Sequence, residues 1–327
     1  MIKILITKGD LFNNFLLDNL NDFWIDSKKL ESKETIYIER NNKFTKFNKV
    51  CYLILEKLPF PIEIPSISFK KKKDTTFTII IGPDFSQFLK YKLRGDNIVF
   101  MMMDAWPNYN TRIEKAIRIL GIKTIFFSSK QIAETFKQKG ILENSIWIPE
   151  AIRFEKYYSK PMKERNNDVL SFGRKWELHH EKIYRPLEEA GISYWFEKIK
   201  GLVILPTRKI FLDAIADAKI TICVPSNISH PDRSSDICTV TWRYFQCMAA
   251  RSIILGVAPP ELVELFGYNP IVEIDMNKPF EQIQNILANT DLYSNLIEKN
   301  YETVKNYHTW YHRWRSIQSQ IYKIPIN

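Results

Sequence analysis

The segment Cys238–Gly256, CTVTWRYFQCMAARSIILG, decides the fold class of this chain. Its first part spaces aromatic and aliphatic residues as a helix does, and Thr239 or Thr241 can cap the helix start. After a pair of alanines that allow close packing, Ser252–Leu255 form an apolar run of strand length that a glycine closes. A helix leading into a buried strand is the repeating unit of an α/β sheet.

Apolar runs of strand length recur along the whole chain, with helix-length segments between them. The predicted strands are Ile2–Thr7, Val50–Leu55, Phe77–Ile81, Ile98–Met103, Thr124–Phe127, Val169–Phe172, Ile192–Phe196, Ile220–Val224, Ser252–Leu255 and Ile271–Ile274. Short strands that are apolar on both faces are typical of parallel sheets covered by helices. The sequence therefore predicts an α/β protein.

The strand pattern is interrupted once, at Ile152–Asn167, where charged residues and a proline intervene. With 327 residues, the chain suits two domains better than one core. We predict two doubly wound Rossmann-like domains, residues 1–155 and 156–327. The last segment, Asp291–Tyr322, has a helical pattern rich in aromatics, and we expect it to pack back across the domains.

Composition indicates a globular protein, with 45% apolar and 13% aromatic residues. No apolar run approaches the about 20 residues that span a bilayer. The first residues, MIKILITKGD, enter a strand pattern directly, and Cys51, Cys223, Cys238 and Cys247 form no C-x-x-C pair. We expect reduced thiols and a cytoplasmic protein, peripheral to the inner face of the plasma membrane.

The formal net charge of +10 favours a polyanionic partner. Much of the excess is local, in Phe69–Lys73 and Lys156–Arg165, and both stretches have the pattern of exposed loops. No zinc-finger or aromatic-basic RNA-binding signature accompanies them, so nucleic acid is disfavoured as a partner and an anionic membrane surface is preferred. A lysine-rich coding bias is the alternative explanation.

The ten glycines exclude several common α/β functions. No two are spaced for G-x-G-x-x-G, and there is no G-x-x-x-x-G-K-[ST]. Dinucleotide-dependent oxidoreductases and P-loop NTPases are therefore disfavoured. The absence of G-x-S-x-G disfavours the commonest α/β hydrolases in the same way.

Four segments, in order, resemble the GT-B nucleotide-sugar glycosyltransferases, particularly group 1 and its spore-coat CgeB-like branch. They are FFSSKQIAETFKQKGILENSIWIPEAI (126–152), LSFGRKWELHHEKI (170–183), LPTRKIFLDAIADAKITICVPSN (205–227) and TWRYFQCMAARSIILG (241–256). The resemblance covers about half of the chain. It implies two Rossmann-like domains facing a central cleft, a nucleotide-diphosphate sugar donor, a hydroxyl acceptor, no cofactor and no catalytic metal.

Two basic residues are candidate ligands of the donor diphosphate. Arg174 follows a predicted strand at the edge where open α/β sheets bind ligands, and its guanidinium can hold a diphosphate by two hydrogen bonds. Lys182, on the following helix, can add a point charge. The alternative for Arg174 is a surface ion pair with Glu177 or Glu181.

The segment that carries the resemblance departs from the family at both acidic positions. Gln246 stands where the resemblance implies a ribose-binding glutamate, and Cys238 stands where it implies the first glutamate. An amide accepts one hydrogen bond and donates another, so we expect altered ribose binding by Gln246. The alternative is a buried, satisfied amide.

The start of the helix after Cys238 is the remaining donor-binding candidate. We expect backbone N–H groups at Thr239, Val240 and Thr241 to receive the β-phosphate, as helix N-termini bind anions. Arg243, one turn before Gln246, is a further candidate donor ligand or a structural ion-pair partner.

The loop after the strand Ile220–Val224 is expected to border the sugar pocket. Ser226 and Asn227 follow that strand directly, and the polar loop Ser229–Asp236 supplies His230, Asp232, Arg233 and Asp236. This loop can provide sugar contacts that Cys238 cannot. A solvated loop is the alternative.

Asp84 and Asp104, which each follow an apolar strand of the first domain, are the candidate catalytic residues. Carboxylates at strand ends suit activation of an acceptor hydroxyl. The acceptor implied is a glycan, a lipid-linked sugar or a protein hydroxyl in surface-glycan assembly. His179-His180 and His308/His312 lack the companions of a metal site.

Three functions stay open from the sequence. The first is a glycosyltransferase, retaining or inverting. The second is a non-catalytic relative that binds sugar nucleotides or glycans, in which loss of both glutamates marks loss of activity. The third is a basic scaffold associated with a membrane or nucleic acid. Binding of a nucleotide separates the first two from the third.

Overall fold

The computed structural model describes residues 2–6, 15–30, 35–39, 45–59, 62–67, 74–173, 175–198 and 204–323. The chain forms two compact units. Unit 1 comprises Met1–Leu11, Trp24–Pro149 and Arg313–Asn327, and unit 2 comprises Phe12–Phe23 and Glu150–His312. The basic stretch Phe69–Lys73 and the candidate site residue Arg174 lie outside the described residues.

Unit 1 is built on a six-stranded parallel sheet in the order β2-β1-β3-β4-β5-β6. The strands are β1 (Ile2–Ile6), β2 (Thr35–Glu39), β3 (Thr75–Ile81), β4 (Asn97–Met103), β5 (Thr124–Phe127) and β6 (Asn144–Trp147). The central strands β3 and β4 are buried over almost their whole length, as continuous apolar runs require.

Helices lie between the strands of unit 1. They are α1 (Phe15–Ser27), α2 (Thr45–Lys57), α3 (Leu89–Leu93), α4 (Asn110–Leu120) and α5 (Lys130–Gln138). The last helix of the chain, α14 (Trp310–Lys323), contributes Trp314, whose buried ring lies 5.4 Å from that of Phe77 on β3. Arg313 is also buried and donates to the carbonyl oxygen of Pro149 at 3.0 Å.

Unit 2 is built on a five-stranded parallel sheet in the order β11-β10-β9-β7-β8. The strands are β7 (Asn167–Leu170), β8 (Tyr194–Trp195), β9 (Ala218–Cys223), β10 (Ile253–Gly256) and β11 (Val272–Glu273). The helices are α6 (Glu177–Glu189), α7 (Arg208–Ala216), α8 (Ser226–Ser229), α9 (Pro231–Ser234), α10 (Trp242–Ala249), α11 (Pro260–Phe266), α12 (Pro279–Ala288) and α13 (Ser294–Tyr307).

A buried carboxylate holds the segment Phe12–Phe23, which includes the first part of α1, in unit 2. Asp22, on α1, accepts a hydrogen bond from Arg208 Nη2 at 2.9 Å and forms a second ion pair with Lys156. Its side chain is fully buried, whereas both cations are partly exposed. The two opposite charges offset only part of the loss of water, because burial still raises the pKa of Asp22 above its ordinary value.

The predicted fold class is confirmed, because both units are parallel sheets flanked by helices. The prediction of a strand at Val50–Leu55 is wrong, since these residues lie within α2. A short apolar run is ambiguous between strand and helix, and here the exposed positions recur at helical spacing. The sequence pattern missed β2 and β6, which lie at the two edges of their sheet.

Candidate functional site

The strand order of unit 2 creates one preferred place for a ligand. In the order β11-β10-β9-β7-β8, the chain runs from β7 to β8 on one side of it, and the next strand, β9, lies on the other side of β7. The strand order therefore reverses between β7 and β9. Ligands of open α/β sheets bind outside the carboxyl ends of the strands at such a switch point. The segments that follow β7 and β9 are Phe172-Gly173 and Val224–Asn227, so they border this position.

Arg243 lies at the β7 side of the switch point. It is in the first turn of α10, and its Nη1 donates to the carbonyl oxygen of Phe172 at 3.3 Å. Gly173 has φ +75°, and a Cβ placed there would lie 3.5 Å from the guanidinium carbon of Arg243. The guanidinium therefore covers the backbone just after β7. The hydrogen bond to the Phe172 carbonyl uses one of the five N–H donors of Arg243, and two of the remaining donors can bind a phosphate together.

Ser226 and Asn227 lie at the β9 side of the switch point. They open the short helix α8, and Ser226 is buried. The Oδ1 atom of Asn227 is shielded from solvent and accepts no hydrogen bond from the described residues. A buried acceptor of this kind can accept a hydrogen bond from an ordered water or a ligand.

Thr241 has the same property at the start of α10. It is the N-cap residue by position, with extended φ and ψ, yet its side chain makes no capping hydrogen bond. Its shielded Oγ1 atom has no partner among the described residues. Two of the predicted donor-site residues, Asn227 and Thr241, thus carry unused polar atoms, and both lie in segments expected to bind the donor.

Two buried glutamates accept hydrogen bonds from backbone N–H groups at the start of α10, one just before the helix and one in its first turn. Glu261 Oε2 accepts from Val240 N at 3.0 Å and from Thr239 Oγ1 at 2.8 Å. Glu150 Oε2 accepts from Trp242 N at 2.8 Å. The Val240 N–H therefore has an intramolecular acceptor in this structure. Sequence reasoning missed both glutamates, since no local pattern links positions 21 and 92 residues apart.

Gln246 lies in the core of unit 2. It is 4% exposed, and its Nε2 donates to the hydroxyl oxygen of Tyr157 at 3.0 Å. Burial raises the pKa of Tyr157, so this hydroxyl stays protonated. Cys238 is half-buried, and burial together with the negative charge of Glu261 raises its pKa to about 11. The thiol is therefore neutral near pH 7.

Lys182 projects from α6 and is exposed. Its Nζ donates to the carbonyl oxygen of Met276, just after β11, at 2.7 Å. Its ammonium group is thus bound to a backbone carbonyl that follows β11, the edge strand opposite β8. The role of Lys182 in diphosphate binding stays a prediction.

The two aspartates of unit 1 both follow strands as predicted, but their local roles differ. Asp84 Oδ1 accepts from Ser86 N at 3.2 Å and from Ser86 Oγ at 2.7 Å, which orders the turn after β3. Asp104 directly follows β4 with φ +54°, a left-handed conformation that is uncommon outside glycine. Such strain is frequent at functional sites. The sheet of unit 1 has its own switch point, between β1 and β3 in the order β2-β1-β3-β4. Asp84, after β3, lies beside it, and Asp104, after β4, lies one strand further.

His179, in the first turn of α6, is held neutral by its surroundings. It is buried, stacks on Trp176 with ring centroids 6.0 Å apart, and its Nε2 has no partner among the described residues. Burial, with smaller contributions from the positive charges of His180 and Lys182, lowers its pKa to about 4. Among the described residues, no group of three or more His, Cys, Asp or Glu side chains is arranged to hold a metal ion.

Because the pKa of His179 is lower in the folded than in the unfolded state, its stabilising contribution is complete above pH 6.5 and lost as pH falls towards 4. The difference between 6.5 and about 4 corresponds to about 3 kcal/mol at full protonation. We expect His179→Phe, which retains the stacking, to flatten the fall of unfolding free energy over this range. Urea unfolding at several pH values measures it, and equal slopes for both proteins would contradict the assignment.

Comparison with known proteins agrees with this geometry. Residues 161–319, which include both sides of the switch point and all of α10, match the family model described as glycosyl transferase-like. Among curated protein sequences, none matches this chain.

Solved structures with similar folds include three sugar-transferring or UDP-binding proteins. An alpha-glucosyltransferase in complex with UDP and a 13-mer DNA is 14% identical, with a TM-score of 0.55 over 99% of both chains. Anabaena HepE, in complex with UDP and glucose, is 9% identical, with a TM-score of 0.59 over 99% of both chains. Sucrose-phosphate synthase from Thermosynechococcus elongatus is 12% identical, with a TM-score of 0.54 over 98% of both chains.

Identities this low carry information about the fold, whereas the family model carries information about the sequence of unit 2. Residues 161–319 therefore match a glycosyl transferase-like model in sequence, and the two parallel sheets with flanking helices have the fold of these GT-B structures.

Proposed function

We propose that this protein is a glycosyltransferase that moves a sugar from a nucleotide-diphosphate donor to a hydroxyl acceptor. The observation that carries the proposal is the coincidence of the glycosyl transferase-like match with the switch point of unit 2. There, a partly exposed guanidinium and two unused polar atoms lie on segments that end at the same edge of one sheet.

Each donor-site group has a chemical task in this proposal. The Arg243 guanidinium neutralises the charge that builds up on the diphosphate as it leaves. Asn227 Oδ1 accepts a hydroxyl hydrogen bond from the sugar or ribose, and Thr241 Oγ1 donates to or accepts from the donor. Arg174, next in sequence to Gly173, supplies a second guanidinium.

Helix α10 contributes less positive potential than an uncapped helix does. The carboxylates of Glu150 and Glu261 accept from Trp242 N and Val240 N, so they offset the partial positive charge at this end. The guanidinium groups must therefore carry most of the diphosphate binding. We propose that no metal ion takes part, and activity in the presence of EDTA tests this point.

On the acceptor side we propose Asp104 as the residue that orients or deprotonates the acceptor hydroxyl. Its strained backbone at the end of β4 supports this choice. The acceptor is proposed to be a glycan, a lipid-linked sugar or a protein in bacterial surface-glycan assembly, as the CgeB-like resemblance implies. Among the described helices, none is long and apolar enough to cross a bilayer.

A second candidate is a non-catalytic relative that binds sugar nucleotides or glycans. The state of Gln246 favours it, because the amide that replaces the expected glutamate is buried and donates to Tyr157. Cys238, with its neutral thiol, cannot replace the other carboxylate. Both candidates require a donor site in unit 2, and turnover separates them.

A thermal-shift screen with UDP, GDP, ADP and CMP tests the proposal. We expect one nucleotide to raise the melting temperature by about 5 °C or more at a concentration near a hundred times its Kd. Slow hydrolysis of the matching sugar nucleotide would then identify an enzyme, and binding without hydrolysis a relative that has lost activity. No response to any of the four would contradict both.

A further inference from the structure

Helix α2 of unit 1 presents an apolar face to solvent. Phe47, Val50 and Ile54 are 69%, 56% and 60% exposed, and Leu53 beside them is 37% exposed. The first three follow the spacing i, i+3, i+7, so they lie along one stripe of the helix. Single exposed apolar residues are ordinary on protein surfaces, but a stripe of them indicates an interaction site.

The opposite face of α2 is firmly attached to unit 1, so the helix cannot turn to bury the stripe. Tyr52 is 1% exposed, and Glu56 pairs with Arg112 through Oε1–Nε at 2.8 Å and Oε2–Nη2 at 3.3 Å. Lys115 Nζ donates to the carbonyl oxygen of Glu56 at 2.7 Å. These contacts, on α4, fix which face of α2 is outside.

The charges on α2 favour an anionic partner. Glu56 is the only acid in the helix, and it is directed inwards to Arg112. The exposed residues include Lys49 and Lys57, and Lys57 continues the stripe three residues after Ile54. A lysine that continues an apolar stripe can lie along a membrane surface, with its ammonium group at the level of the headgroups.

We propose that this face of α2 docks on an anionic phospholipid surface, with Phe47, Val50 and Ile54 inserted at the headgroup boundary. The net charge of +10 on the chain, which includes four consecutive lysines at 70–73, adds long-range attraction to such a surface. A protein partner would be expected to offer acids to Lys49 and Lys57 at fixed positions, whereas a bilayer requires only the stripe and the positive charge. This surface goes beyond the proposed function, since it uses unit 1 alone and no residue of the donor site.

Co-flotation of the full chain with vesicles tests the proposal. We expect binding to phosphatidylcholine vesicles with about one third phosphatidylglycerol, weak binding to phosphatidylcholine alone, and release in about 0.5 M NaCl. Phe47→Gln/Ile54→Gln should lower the partition coefficient on the order of tenfold per residue. Lys49→Gln/Lys57→Gln should lower it about fivefold per residue and reduce its dependence on salt.

Leu292→Gln is the matched control, because Leu292 is 79% exposed but lies in unit 2. All variants alter exposed side chains, and their melting temperatures verify folding. Should the apolar variant fail to fold, the lysine variant still decides. The proposal is overturned if both α2 variants bind vesicles as Leu292→Gln does. It is also overturned if the wild type ignores anionic vesicles and is a dimer that Phe47→Gln/Ile54→Gln makes monomeric, which would assign the face to a second copy. Failure of nucleotide binding in the thermal-shift screen leaves this result unaffected.

Discussion

Gly256→Ala is expected to destabilise the protein by about 3 kcal/mol or more. Gly256 ends β10, in register with Cys223 at the end of β9. A Cβ on Gly256 would overlap the carbonyl oxygen of Cys223 and lie 2.8 Å from its carbonyl carbon. These atoms are backbone, so no side-chain rotation relieves the clash.

Neither strand can move aside, since β9 is hydrogen bonded to β7 and β10, and β10 to β9 and β11. Urea unfolding of wild type and variant measures the loss. Gly191→Ala is the control: no atom lies within 4 Å of its added Cβ, and Gly191, unlike Gly256, has a positive φ, of +67°. That variant should lose only about 1 kcal/mol, from backbone strain. Equal losses for the two alanines would contradict the close approach of β9 and β10.

Arg243→Ala is expected to weaken binding of the preferred nucleoside diphosphate by about 100-fold, because a charge-assisted hydrogen-bonded pair contributes about 1.5–3 kcal/mol. The guanidinium lies over Gly173 at the β7 side of the switch point. Arg243→Lys should recover only part of the affinity, since it restores the charge without the fork. Isothermal titration calorimetry gives the three dissociation constants.

Arg251→Ala is the control for a general loss of positive charge in unit 2. Arg251 pairs with Glu298 on α13, with Nε 2.6 Å from Oε1, and is not at the switch point. We expect it to leave nucleotide affinity within about threefold of wild type, as screened distant charges do. If Arg243→Ala and Arg251→Ala weaken binding equally, Arg243 has no specific role at the diphosphate.

The fold could be predicted from the sequence wherever strands are buried on both faces. Ile98–Met103 and Thr124–Phe127 are continuous apolar runs, and β4 and β5 begin and end within one residue of them. The missed strands β2 and β6 lie at sheet edges, where one neighbour is absent and polar residues are tolerated. The apolar run in α2 gives a wrong strand prediction because an apolar run is expected to be buried, whereas several of its residues are exposed on the surface of a helix.

The sequence identifies the segments of the candidate site, but not the hydrogen bonds within them. Strand ends and the GT-B resemblance point to Arg243, Ser226 and Asn227; Ser226 and Asn227 follow β9, Arg243 lies in the first turn of α10, and their role in donor binding stays a prediction. The acceptors of Val240 N and Trp242 N, Glu261 and Glu150, come from other elements, and only the folded chain brings them together. The ribose role predicted for Gln246 stays a prediction, and its hydrogen bond to Tyr157 is the contact it would have to exchange.

Hydrogen–deuterium exchange with and without the preferred nucleoside diphosphate tests the central claim most directly, because it locates the donor site along the chain. At saturating nucleotide we expect slower exchange in three segments of unit 2: the turn around Gly173, the start of α8 at Asn227, and the start of α10 at Thr241. We expect clearly less protection of the same segments in Arg243→Ala at the same concentration, because its weaker binding leaves much of the protein unoccupied. Protection confined to unit 1, or unchanged exchange at saturation, would contradict a donor site at the switch point of unit 2.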